Sequence, residues 1–233
     1  MASRPKIAAV IPVWNEAGAI GPTLARLPRA LIDAVFVVDG GSTDATIAEA
    51  EAGGAMVIRE ARRGYGQACA TGAAAAMAAG AEILLFCDGD GADPVEHAAI
   101  LLAPLLEGRA DFTLASRTRG ARAPGAMGWH QILAGRAIGA ALGAIAGQRY
   151  SDMSAFRAIR GADLIRLDMR EMTYGWNLEM QIRAPRAGLR VMEIPLPYGR
   201  RIAGASKVAG NLRGSLRAGG RILTTLARLA RVP

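Results

Sequence analysis

Over its first 115 residues the chain alternates short, β-branched apolar runs with longer alanine-rich stretches, and this alternation constrains the fold more than any other feature. Strands are expected over residues 7–13, 35–39, 56–59, 83–88 and 112–116, and helices over 19–27, 44–52, 67–79 and 94–106. Apolar strands separated by helices are the pattern of an α/β protein, with a mostly parallel sheet covered by helices on both faces. Ligands in such sheets bind beyond the carboxyl ends of the strands. Polar residues stand at four of those ends: Asn15 and Glu16, Asp39 and Ser42, Asp88 and Asp90, Ser116 and Arg117. Any one of them could be a turn or a helix cap, as Ser42-Thr43-Asp44 in part would be. Four at one rim point to a binding crevice.

Asp88-Gly89-Asp90 is the sharpest local element. Two carboxylates on either side of a glycine can face one ion while the backbone turns tightly. Mg²⁺ takes one or two carboxylates together with substrate phosphates. Asp-Gly also makes ordinary turns. What distinguishes this pair is its place after the apolar run 83–87, where two carboxylates without a cation would be costly to bury.

Three segments together resemble the nucleotide-binding half of the family 2 glycosyltransferases of the GT-A fold: Val10 to Glu16, Val37 to Asp44 and Asp88-Gly89-Asp90. Gly64-Tyr65-Gly66-Gln67-Ala68 resembles that family's glycine-rich turn. Ser151 to Arg157, Trp176 to Met180, and Glu193 to Tyr198 with Arg200, Arg201, Ser206 and Lys207 are similar to the acceptor side of dolichyl-phosphate mannose synthases and other polyprenyl-phosphate glycosyltransferases. The likeness runs over residues 6–208. It implies a transferase that moves a hexose from a nucleoside-diphosphate sugar to a polyprenyl phosphate, with inversion at the anomeric carbon.

On that resemblance Asp88 and Asp90 would hold Mg²⁺ or Mn²⁺, and Arg117 would contact phosphate. Pro12, Asn15, Glu16, Asp39, Gly41, Ser42, Gly66 and Asp88 would form the nucleotide site. Asp152, Ser154, Arg157, Glu179, Arg200, Arg201 and Lys207 would serve the acceptor and its phosphate. A phosphate oxygen is already ionised near neutral pH and needs no general base, in keeping with a chain whose two histidines are His97 and His130. For a soluble hydroxyl acceptor, Asp152 or Glu179 would be the base; either could instead pair with a nearby arginine. The family's Asp-Asp-Gly-Ser turn carries Gly40 at its second place, which leaves the nucleotide open.

Charge divides the chain in the same way. Residues 1–115 carry 8 basic and 14 acidic side chains, and residues 116–233 carry 20 and 6, which splits the net +8 into −6 and +14. The expected organisation is one catalytic domain over 1–207, with a nucleotide-sugar half over 1–115 and an acceptor half over 116–207. A basic amphipathic helix would follow over 208–233, either packed on the domain or lying on anionic lipid at the inner membrane face. Aromatic residues do not interleave the arginines, so nucleic acid is not an expected partner.

Other classes are excluded more simply. A hydrophobic fraction of 52% with 21% charged residues does not suit a disordered or fibrous chain. Cys69 and Cys87 lie in apolar runs without metal-ligand spacing, and suggest a reducing compartment. The stretch 132–147 is interrupted by Arg136 and is shorter than the roughly 20 residues of a membrane span. Pro12, with Asn15 and Glu16 after it, fits a buried strand better than a leader peptide. Trp129, Trp176, Met153 and Met180 are expected to pack in the interior.

Overall fold

The computed structural model describes residues 4–204 together with Thr224 and Arg228. Seven strands form one sheet: β1 (Ile7–Val13), β2 (Ala34–Asp39), β3 (Met56–Arg59), β4 (Ile83–Phe86), β5 (Phe112–Ser116), β6 (Arg157–Arg160) and β7 (Val191–Pro195). Their order is β3-β2-β1-β4-β6-β5-β7. Strands β3, β2, β1 and β4 are parallel, as are β5 and β7. Strand β6 runs antiparallel to both β4 and β5. The carboxyl ends of β1, β2, β4 and β5 and the amino end of β6 therefore share one rim.

Helices α1 (Ile20–Arg26), α2 (Thr46–Ala52) and α4 (Ala98–Leu106) cover one face of the sheet. Helices α3 (Tyr65–Ala78), α5 (Trp129–Ala146), α6 (Gly161–Arg166) and α7 (Trp176–Arg186) cover the other. The side-chain alternation of β1 divides the core. Ile7, Ala9 and Ile11 pack with Leu24, Ala50 and Leu101, whereas Ala8 and Val10 pack with Cys69, Ala73 and Trp176. The small residues of α3 let it lie close on the sheet. A Cβ on Gly72 would come within 2.5 Å of Val10 Cγ1.

Two expectations change. Strand β6 was not anticipated as a strand, because Arg157 and Arg160 flank only two apolar residues; it forms because β4 and β5 both offer it ladder partners. Trp129 is 78% exposed and is not a core residue. Trp176 and Met180 are buried and Met153 packs against the core, as expected. Of residues 208–233, expected as a basic helix, Thr224 and Arg228 are described, both in helical conformation, and Arg228 pairs with Glu171 at 2.9 Å. The remainder, with Lys207, lies outside the described residues.

Candidate active site

The tips of β1 and β2 are tied to each other by polar contacts. The Asn15 backbone, at φ 51°, donates from N–H to Ser42 Oγ at 2.8 Å. Its side-chain oxygen accepts from Thr43 N at 2.8 Å. Glu16 N–H donates to Thr46 Oγ1 at 2.8 Å. Asp39 is buried and its carboxylate accepts from Gly41 N at 3.0 Å and Ser42 N at 3.1 Å, shaping a turn that places Gly41 at φ 93°. Pro12 is a strand residue opposite Val38, just short of this rim.

Beyond β4 the acidic loop folds against β1. A Cβ on Gly89 would meet Val13 Cγ1 at 2.6 Å, so a glycine is what lets the loop pass there. Asp88 N–H donates to Asp93 Oδ2 at 2.9 Å, and Ala92 N–H to Asp90 Oδ1 at 2.9 Å. Burial raises the Asp88 carboxyl well above its usual range, and the charges of Asp93 and Asp90 raise it further. Burial, with the charge of Asp90, pushes Asp93 up to about 7. Asp93 was not singled out in the sequence; the available signal was a third aspartate three residues beyond the pair.

Clustered carboxylates held against their electrostatic preference mark a place where a cation lowers the energy. The oxygen donors of Asp88 and Asp90 suit a hard divalent ion. Among the described residues, no three His, Cys, Asp or Glu side chains form a closed metal cage. A metal here would complete its shell with ligand oxygens or water.

Arg201, expected on the acceptor side, stands on this donor rim. Its guanidinium lies 2.8 Å from Asp90 Oδ2 and 3.0 Å from Glu16 Oε1, and its Nε is buried without a partner. It is carried there by the chain after β7, where Gly199 N–H donates to Ala92 O and Ile202 N–H to Asp90 O, each at 2.9 Å. Backbone pairing with the acidic loop thus decides which carboxylates Arg201 meets.

Arg117 was expected to present its fork to a phosphate. That fork is taken by the fully buried Asp152, with Nε 2.6 Å from Oδ2 and Nη2 2.8 Å from Oδ1. Tyr198 lies against the other side of the guanidinium, its ring centre 5.4 Å away. Nearby, Ser116 Oγ and Ser151 Oγ share a 2.6 Å hydrogen bond, and Glu193 accepts from Ser151 N at 3.0 Å.

The other acceptor-side residues separate. Arg157 is fully buried at the start of β6, between Phe86 and Leu114 in register. Its Nη1 donates to Asn177 O at 3.1 Å, its Nη2 has no partner, and burial lowers its pKa. It does not reach an acceptor phosphate. Its positive charge instead lowers the pKa of Asp93 from within. Ser154 is fully buried and accepts from Phe156 N at 3.3 Å. Glu179 is also buried; it accepts from Arg170 N and Glu171 N, and pairs with Arg183 at 2.9 Å. Gly66 sits against the segment that precedes α7: its N–H donates to Thr173 O at 3.2 Å, and a Cβ there would meet Glu171 O at 2.5 Å. Arg200 is exposed and donates to Pro124 O on the loop that precedes α5.

Residues 8–168 match the family model described as Glycosyl transferase family 2. An uncharacterized glycosyltransferase of Mycobacterium tuberculosis is 33% identical over 214 residues, covering 90% of this chain and 93% of that protein. An undecaprenyl-phosphate mannosyltransferase of Micrococcus luteus is 28% identical over 231 residues, covering 90% of each. Among solved structures, the glucosyl-3-phosphoglycerate synthase of Mycobacterium tuberculosis superposes with a TM-score of 0.76 at 24% identity, over 98% of this chain and 81% of the other. That likeness shows the fold alone, and it is the GT-A fold expected from the motifs.

Proposed function

The chain belongs to glycosyl transferase family 2, and from that premise we propose that it moves a hexosyl group from a nucleoside-diphosphate sugar to a polyprenyl phosphate, with inversion and with Mg²⁺ or Mn²⁺ held by Asp88 and Asp90. The observation that carries the donor half is the meeting of Glu16, Asp39, Asp88 and Asp90 at the ends of three neighbouring parallel strands. Asp39 and Glu16 line the place for base and ribose. Asp88 and Asp90 would hold the metal, which when bound would supply Lewis acidity to the leaving diphosphate. Arg201, ion-paired with Asp90 on this rim, offers a charge-assisted hydrogen bond to the diphosphate.

The acceptor half rests on the state of two carboxylates. A hydroxyl acceptor needs a general base, and the sequence offered Asp152 and Glu179 for that task. Both are fully buried and ion-paired, Asp152 with Arg117 and Glu179 with Arg183. A phosphate acceptor arrives ionised and attacks the anomeric carbon without either of them. The relative from Micrococcus luteus, named for an undecaprenyl phosphate acceptor, supports the same direction. Such a substrate places the enzyme at the inner membrane face, as a peripheral protein.

The test is transfer by the purified protein with Mg²⁺ or Mn²⁺, a panel of GDP- and UDP-sugars, and polyprenyl phosphate in detergent. A parallel series replaces the lipid with soluble phosphorylated and hydroxyl acceptors. A lipid-linked sugar with stoichiometric nucleoside diphosphate is expected. Transfer to soluble acceptors alone refutes the acceptor assignment, and no transfer or nucleotide release across the panel refutes the whole reading. Asp90→Ala should abolish metal-dependent binding of the nucleoside diphosphate.

A further inference from the structure

Helix α5 departs from the rule that the solvent face of a surface helix is polar. Its inner face carries glycines where the helix approaches the chain most closely, beside buried Leu142 and the partly buried Ile138 and Ile145. A Cβ on Gly135 would lie 3.2 Å from Asp152 Oδ1, and one on Gly139 would lie 2.6 Å from Tyr150 O. Leu133 and Ala137, each two residues from Gly135 and so about 160° round the helix from it, are exposed, as are Ala140 and Ala144, in line with Trp129 at the amino end. Trp129 and Leu133 are 78% and 62% exposed. Arg136 is the only Lys, Arg, Asp or Glu in the helix's 18 residues. Among the described residues no helix is long and apolar enough to cross a membrane.

The chain that builds this ridge is one-sided in charge, although Asp152 pairs with Arg117 and Glu193 lies 3.6 Å from Arg119. Between Asp111 and Asp152 lie 40 residues with five arginines and no carboxylate. Arg119, Arg122, Arg136 and Arg149 are exposed, and exposed Arg200 joins them through Pro124 on the loop leading into α5. An apolar ridge led by a tryptophan and rimmed by arginines fits the interface of an anionic bilayer. There the indole sits at headgroup level and the arginines meet lipid phosphates. A second copy fits poorly, because a two-fold contact would set these arginines against themselves. Position agrees as well: Gly135 faces Asp152, which holds Arg117, so α5 borders the acceptor side of the site.

We infer that the exposed face of α5 docks on an anionic membrane surface, with Trp129 and Leu133 entering the interface beside the acceptor rim. The inference rests on the reading that the acceptor is a lipid phosphate, and it assigns the contact to α5.

Cosedimentation of the full chain with vesicles tests it. The protein is expected to bind vesicles of equal phosphatidylglycerol and phosphatidylcholine and to leave pure phosphatidylcholine in solution. The double variant Trp129→Ser, Leu133→Ser should lose about tenfold in vesicle affinity and keep its thermal shift with nucleotide and Mn²⁺. Asp90→Asn should bind vesicles as the parent does. Equal binding by parent and double variant overturns the inference, because the contact then lies elsewhere. Absence of vesicle binding overturns it too, and if gel filtration then shows a dimer that the double variant loses, the ridge belongs to a second copy. Vesicle binding through α5 with transfer to soluble acceptors only would leave this surface standing and remove the lipid acceptor.

Discussion

Arg201 lies 2.8 Å from Asp90 Oδ2, so the chain that follows the last strand is ion-paired to the acidic loop of the donor rim. The same guanidinium reaches Glu16, which makes it a cation shared by two strand ends. A metal binding at Asp90 meets that charge already in place. Arg201→Gln should therefore tighten Mn²⁺ binding in the absence of nucleotide by about 3- to 10-fold. Donor turnover should fall about 10- to 100-fold, because the diphosphate loses a charge-assisted partner. Calorimetric titration with Mn²⁺ and steady-state kinetics read the two effects separately; unchanged metal affinity would show that Arg201 does not compete.

Asp88 is a carboxylate that the fold holds at a cost. Burial and the neighbouring Asp93 and Asp90 all raise its pKa. Asp88→Asn should raise the melting temperature of the metal-free protein by about 2–4 °C, corresponding to ~1 kcal/mol for a chain of this size. The same variant should lose the additional shift that Mn²⁺ with a nucleoside diphosphate gives the parent. Scanning fluorimetry with and without those ligands checks both. Stability gained where binding is lost is the expected trade at a functional site.

Gly66 separates a packing role from a nucleotide role. With Glu171 O 2.5 Å from where its Cβ would stand, Gly66→Ala must push α3 away from the backbone near Glu171. A loss of about 1–3 kcal/mol in urea unfolding is expected, with donor affinity unchanged within about twofold. A large donor defect at full stability would return Gly66 to the nucleotide site.

The Asp111–Arg190 pair joins the starts of β5 and β7 and sets an acid limit. Hydrogen bonding from Arg190 lowers the Asp111 pKa from 3.8 to about 2. A carboxylate depressed in the folded state contributes stability above its unfolded pKa and loses it as pH falls through the folded value. The contribution is thus complete above about pH 4 and gone below about pH 2. Arg190 is more than half exposed, so screening leaves about 1 kcal/mol. Asp111→Asn should be less stable than the parent by that amount at pH 7, and the two unfolding curves should converge as pH drops toward 2.

Local pattern carried most of the donor half. The period-two division of β1 into two core faces, and the polar residues at the ends of β1, β2 and β4, are consequences of short-range order along one strand. They could be read in a line. The antiparallel strand in the middle of the sheet could not. Strand β6 has too few apolar residues to announce itself and takes its place from neighbours on both sides. The exposure of Trp129 depends on the face of α5 with Gly135, Gly139 and Leu142 turning inward, which no composition states.

The amino-acid sequence by itself determined the α/β architecture, the family and the rim at which the acidic residues gather. The pairing of its charges was decided only in three dimensions. Asp152 closes the fork of Arg117 from 35 residues away, and Arg201 reaches Asp90 across 111. Arg157, which looked like a phosphate ligand, becomes a buried charge beneath the carboxylates. The reason is physical: hydrophobic periodicity is a property of neighbours in the chain, whereas an ion pair is chosen by distance and burial after distant segments have met.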